Sequence, residues 1–139
     1  MFHFTLPANL KTNIDSIDRQ HLTLLITSDN ILTNLEDKGN TEELTDLLNF
    51  LISYTETHFA DEEEIMKQAN YPGFEAHKAE HDSFRMRIES MSKVNQLSID
   101  NTELITESVN GVKKWIIDHV FNIDIKMAEY INKHNESKA

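Results

Sequence analysis

At 139 residues and 39% hydrophobic content, the chain is the length of one domain and can enclose a single core, while three Gly and two Pro are too few for an all-β fold of many tight turns. The absence of cysteine excludes disulfides, thiolate zinc sites, iron–sulfur clusters and cysteine nucleophiles. Thirteen Lys and Arg against 24 Asp and Glu leave a net charge of −11, which repels phosphate backbones and argues against a nucleic-acid partner.

The N-terminal stretch MFHFTLPANLK lacks a basic segment followed by an apolar one, so it does not read as a secretory signal, and a cytoplasmic protein is expected. No apolar run approaches the ~20 residues that cross a bilayer, so no membrane partner is expected. Residues 1–16 have no period and are expected to form an extended arm over the rest.

Four segments then carry apolar residues at helical spacing. The first, about 17–38, reads Ile17, His21, Leu24, Leu25, Ser28, Leu32 and Leu35, and stops at Lys38-Gly39. Asn40 and Glu43 form a capping pattern for the second, about 41–69, which reads Leu44, Leu48, Leu51, Thr55, His58, Glu62 and Ile65 before Asn70-Tyr71-Pro72-Gly73 breaks it. The third, about 73–93, reads Phe74, His77, His81, Phe84, Ile88 and Met91, followed by a polar loop from about Lys93 to Ser98. Asp100 and Glu103 form another capping pattern, and the fourth segment, about 101–132, reads Ile105, Val112, Trp115, Ile116, His119, Ile123, Met127 and Tyr130, with Gly111 inside it. Amphipathic helices joined by short connections predict an all-α, up-down-up-down antiparallel four-helix bundle, a single domain over 1–139, with a monomer as the expected state.

The informative feature is histidine on the apolar faces. His21, His58, His77, His81 and His119 fall in register with the leucines and phenylalanines, and so does Glu62, one turn after His58. A single histidine on such a face is more often hydrogen-bonded to a neighbouring carbonyl than bound to metal. Five histidines and a glutamate drawn from all four helices are different, because buried charge needs a partner and a metal site inside a bundle supplies one. His3 and His134 fall outside the stripes and are left out of the site. Imidazole and carboxylate without thiolate suit iron, zinc, copper or manganese, and the donors outnumber what one ion accepts, so two ions are expected.

HVFNID adds Asp124, five residues after His119. Five steps rotate by about 140° on a regular α-helix, so the two do not share a face. Two readings stay open from spacing alone: a surface aspartate, or a π-bulge that turns Asp124 inward. Asp61, Glu63, Glu64, Glu75 and Glu80 read as solvated charges.

The series IDRQH (17–21), HFADEE (58–63), HKAEH (77–81) and HVFNID (119–124), with YPGF before the third, resembles the hemerythrin family, especially its single-domain bacterial members, from about residue 4 to 130. The resemblance implies one iron under His77, His81 and His119, a second under His21 and His58, and Glu62 and Asp124 bridging both with an oxo or hydroxo group. It makes Asp124 a ligand, leaves one position open on the second iron, and implies that dioxygen binds there. It also implies an oxygen pocket of Leu24, Phe59, Trp115, Ile116 and Val120, which helical spacing already places around His21, His58 and His119; plain core packing is the competing reading, strongest for Leu24. Bacterial members usually carry a tryptophan in the arm where this chain has Leu6, with Phe2 and Phe4 nearby as apolar cover.

The implied function is reversible dioxygen binding for storage, transport or delivery to a protein recipient, without catalysis. Two alternatives belong to other classes: an oxygen or redox sensor acting through a separate partner chain, and a di-iron enzyme acting on peroxide, nitric oxide or ferrous iron. Ferritin-like di-iron oxidases use E-x-x-H pairs, which this sequence lacks at its histidines.

Overall fold

A computed structural model of the chain describes residues 6–37, 41–97 and 102–137. These contain a 3₁₀ turn (Ala8–Leu10), α1 (Asp15–Glu36), α2 (Thr41–Gln68), α3 (Phe74–Leu97), α4 (Thr102–His119), a π-helical turn (Val120–Asp124) and α5 (Ile125–Ser137). His119 and Ile125, which flank the π turn, both keep right-handed helical dihedrals, so α4, the π turn and α5 form one continuous fourth rod. α1 packs on α2 and on α4, α2 on α3, and α3 on α4, which closes an all-α four-helix bundle of up-down-up-down order. Among the described residues no helix is long and apolar enough to cross a membrane.

The buried stripes follow the expected ones with local shifts. On α1, Ile31 is fully buried while Leu25 and Leu32 are only partly so, and on α2 Met66 takes the inward place expected for Ile65. Both shifts follow from 3.6 residues per turn, because a stripe that alternates steps of three and four can drift by one position. α3 continues to Leu97, past the loop expected from about Lys93. The expected stop at Lys38-Gly39, the caps at Asn40 and Asp100, and the cover from Phe2 and Phe4 lie outside the described residues.

Two junctions fix the geometry near the site. α2 ends in a Schellman motif: Asn70 takes a left-handed conformation (φ 52), its N–H donates to Lys67 O, and Tyr71 N–H donates to Met66 O. A Cβ on Gly73 would lie 2.8 Å from the Tyr71 ring, so a larger residue there must displace that ring. In the arm, the expected extended chain contains the 3₁₀ turn, and Leu6 and Leu10 are buried. Asp18 accepts from Thr12 N–H (2.9 Å) and Thr12 Oγ1–H (2.7 Å), and Asn132 Nδ2 donates to Thr12 O (3.1 Å), which ties the arm to α1 and α5. The 3₁₀ turn rests on the π turn.

The apolar core is split. A large cluster includes Leu24, Ile31, Leu48, Phe59, Phe84, Val109, Ile116 and Val120, and a small one contains Ile17, Met66, Ala69, Met127 and Ile131. Between them every helix contributes polar side chains: His21 follows Ile17, His58 and Glu62 precede Met66, His77 and His81 precede Phe84, and His119 and Asp124 precede Met127.

Candidate metal centre

The π turn decides the position of Asp124. Five residues in i→i+5 geometry insert one residue into the α register, so Asp124 takes the inward place expected for Ile123, which is half-buried. Asp124 and Glu62 are both 0% exposed, and the five histidines beside them are 5% exposed or less.

The seven side chains meet in two groups that share both carboxylates: His77, His81 and His119 with Glu62 and Asp124, and His21 and His58 with the same two. The oxygens are divided between the groups. Glu62 Oε1 lies 2.8 Å from His77 Nε2 and 3.2 Å from His81 Nε2, while its Oε2 lies 3.0 Å from His58 Nε2. Asp124 Oδ1 lies 2.9 Å from His77 Nε2 and 3.0 Å from His119 Nε2, while its Oδ2 lies 2.9 Å from His21 Nε2. All five imidazoles thus turn Nε2 towards the carboxylates.

These contacts are short, yet none of the four carboxylate oxygens receives a well-directed hydrogen bond. Nitrogens also face nitrogens, with His21 and His58 Nε2 3.1 Å apart and His119 and His77 Nε2 3.2 Å apart. Fully buried carboxylates without directed donors are costly, whereas convergent neutral imidazole nitrogens and carboxylate oxygens suit a divalent or trivalent cation. The donor set fits a metal.

In the metal-free chain the same packing perturbs titration. Burial opposes protonation of His21 and His77, but Asp124 and Glu62 outweigh it and lift both imidazoles to about 9. Burial pushes Glu62 upward, yet His58, His21 and His77 hold it well below the usual carboxylate range. Asp124 is raised by burial and by Glu62, but His119, His21 and His77 prevail and hold it well below its ordinary value.

A cavity of about 10 Å³, on the order of one water molecule, lies beside the cluster. Leu24, Phe59, Trp115, Ile116 and Val120 all line it, joined by Thr55 and Phe84, which the sequence places in the inward stripes without assigning them to a pocket. It touches both imidazoles of the two-histidine group but only His119 of the other. Its aromatic wall is ordered by stacking: Phe84 on Trp115 at 3.9 Å, Trp115 on His119 at 4.4 Å, and Phe59 on His81 at 4.0 Å. Thr55 Oγ1–H donates to Leu51 O at 2.7 Å, so that hydroxyl is already engaged.

One expectation is corrected here. Glu63 is not a solvated charge: its side chain is 13% exposed and its Oε2 lies 2.8 Å from His81 Nδ1. It sits five residues after His58, off that stripe, because its partner is on α3. Gln20, unremarked in the sequence, accepts from His58 Nδ1 through Oε1 at 2.6 Å. His134 belongs to neither group, and His3 lies outside the described residues.

Both the sequence and the fold resemble those of known proteins. Residues 12–131 match the family model described as the hemerythrin HHE cation binding domain. The chain is 30% identical over 122 residues to a bacteriohemerythrin of Clostridium acetobutylicum, covering 86% of this chain and 92% of that protein. It is 31% identical over 120 residues to a bacteriohemerythrin of Methylococcus capsulatus, covering 84% and 87%. A crystal structure of a hemerythrin leucine-to-tyrosine mutant superposes with a TM-score of 0.80 at 26% identity, covering 94% of this chain and 98% of that one.

Proposed function

The chain belongs to the hemerythrin family, and from that premise we propose that it binds dioxygen reversibly at a non-haem di-iron centre, for storage, transport or delivery. In this reading His77, His81 and His119 would hold one iron and His21 and His58 the other, with Glu62 and Asp124 as carboxylates available to both. The observation that carries it is the division of both carboxylates, one oxygen of each turned to either histidine group. When bound, the iron pair would supply the electrons for the uptake of dioxygen.

The rest is the work of the chain. Three imidazoles with two carboxylates fill one half of the centre, while two imidazoles with the same carboxylates leave the other half short of a donor, and the cavity abuts that half. Leu24, Phe59, Ile116 and Val120 give the cavity apolar walls that disfavour water, which matters because water and protons promote loss of a reduced oxygen species and strand the metal oxidised. Trp115 closes one wall and packs its ring against His119. Apart from the proposed ligands, the lining offers one hydroxyl, Thr55, whose hydrogen is spent on Leu51 O. A wall without a carboxyl or a free hydroxyl beyond those ligands favours binding and release over turnover.

Counting iron in anaerobically loaded protein, together with dioxygen uptake, tests this reading. Two irons and one dioxygen per chain are expected; one iron per chain, or consumption of dioxygen with product released, contradicts it.

A further inference from the structure

Beyond the seven proposed ligands, two of the five imidazoles are held from outside, and by chemically different groups. Glu63, which can only accept as a carboxylate, faces His81 Nδ1 at 2.8 Å, so that nitrogen carries the hydrogen and Nε2 keeps its lone pair toward the centre. Arg85 anchors Glu63: its Nη2 lies 2.9 Å from the same Glu63 Oε2, its Nη1 donates to Asp82 at 2.8 Å and its Nε to Glu56 at 2.9 Å. The guanidinium also lies over the Phe59 ring at 5.2 Å, and Phe59 stacks on His81 at 4.0 Å, so the ring is pinned on its face as well as at its edge.

The counterpart in the other half is neutral. Gln20 Nε2 donates to Asp61 Oδ2 at 2.8 Å, which turns the amide oxygen toward His58 Nδ1. The remaining three imidazoles, His21, His77 and His119, have no hydrogen-bond partner at Nδ1 among the described residues.

We propose that Arg85 and Glu63 form a positioning relay for His81, which fixes its tautomer and orientation and makes the three-histidine half the more electron-rich of the two. The relay rests on the two-ion reading above. A carboxylate behind a ligating imidazole raises the basicity of the nitrogen that faces the metal, whereas an amide only orients it. The charge therefore favours the more highly charged ion in the three-histidine half, away from the cavity.

The test titrates metal-free protein with Co²⁺ against a chromophoric chelator and measures the reduction potential of the iron-loaded protein. Glu63→Ala is expected to weaken one of two Co²⁺ equivalents about 10–100-fold and to leave the other unchanged. Glu63→Gln, which keeps the shape and an acceptor oxygen, is expected to weaken it less but to raise the reduction potential, with helicity and metal-free melting temperature unaltered. Arg85→Gln loosens the anchor of Glu63 and is expected to weaken the same equivalent by a smaller factor, while the loss of its positive charge lowers the potential rather than raising it. Two wild-type equivalents with unchanged affinities and potential in both Glu63 variants overturn the relay and leave the two-ion reading standing. So does equal weakening of both equivalents with a fall in metal-free melting temperature, the mark of a structural role. Fewer than two equivalents in the wild type overturns the two-ion reading itself.

Discussion

The two halves of the candidate centre share Glu62 and Asp124 and differ in nearly everything else. The three-histidine half is backed by stacked rings and by a charged network through Glu63, Arg85, Asp82 and Glu56. The two-histidine half faces the small cavity, is backed by an amide, and has one imidazole fewer. Like donors thus sit in unlike surroundings: one half gathers three imidazoles and is braced from behind, while the other has two imidazoles beside a largely apolar cavity.

The largest expected effect comes from breaking what the halves share. Glu62→Ala or Asp124→Ala removes a donor from both, and bound metal is expected to fall from two to one or fewer per chain, as counted by elemental analysis. Separating the halves comes next. His58→Ala is expected to keep about one tightly held iron while dioxygen uptake disappears, whereas His81→Ala weakens the other iron; equal loss from both variants would erase the distinction between the halves. A third change alters only the cavity. Ile116→Thr or Val120→Thr places a hydroxyl in its wall at a stability cost of about 1–3 kcal/mol. The metal count is expected to stay at two, and autoxidation of the oxygenated protein, followed by visible absorption, is expected to accelerate.

Proton release sharpens the same picture. In the metal-free site His21 and His77 are raised from 6.5 to about 9, so both are charged at neutral pH, while a metal accepts only the neutral ring. Loading at neutral pH is therefore expected to release about two protons per chain from one imidazole in each half, measured with a pH indicator, and fewer as the pH is raised through about 9. By linkage, these raised values stabilise the metal-free fold fully below 6.5, and that contribution is lost as pH rises through about 9. The smallest effect lies away from both halves. Gly111, which the sequence leaves as either a packing requirement or a tolerated residue, faces the mobile end of Arg87 on α3. Gly111→Ala is expected to displace that side chain and raise stability by about 0.5–1 kcal/mol in urea denaturation.

Periodicity made the bundle and most of the centre readable, because a buried stripe constrains every third or fourth residue and histidine or glutamate within it is conspicuous. His58 and Glu62, or His77 and His81, need only a regular helix to share a face. Asp124 needs an irregular one, and periodicity cannot choose between a surface position and a π turn; the resemblance made it a ligand, and the π turn brings it inward. Glu63 and Gln20 were hidden for another reason: each acts on a histidine of a different helix, so helix-to-helix rotation, not spacing along the chain, decides the contact. The drift from Ile65 to Met66 is the same limitation at the scale of one residue.

In the proposed function the two-histidine half, beside the largely apolar cavity, takes up dioxygen and gives it back. Repeated oxygenation and deoxygenation of the reduced, iron-loaded protein, followed by visible absorption, tests it most directly. An absorption band that rises with oxygen and vanishes on its removal through several cycles at constant amplitude is expected. A single conversion to a stable oxidised spectrum, without recovery of the reduced form when oxygen is withdrawn, would contradict it.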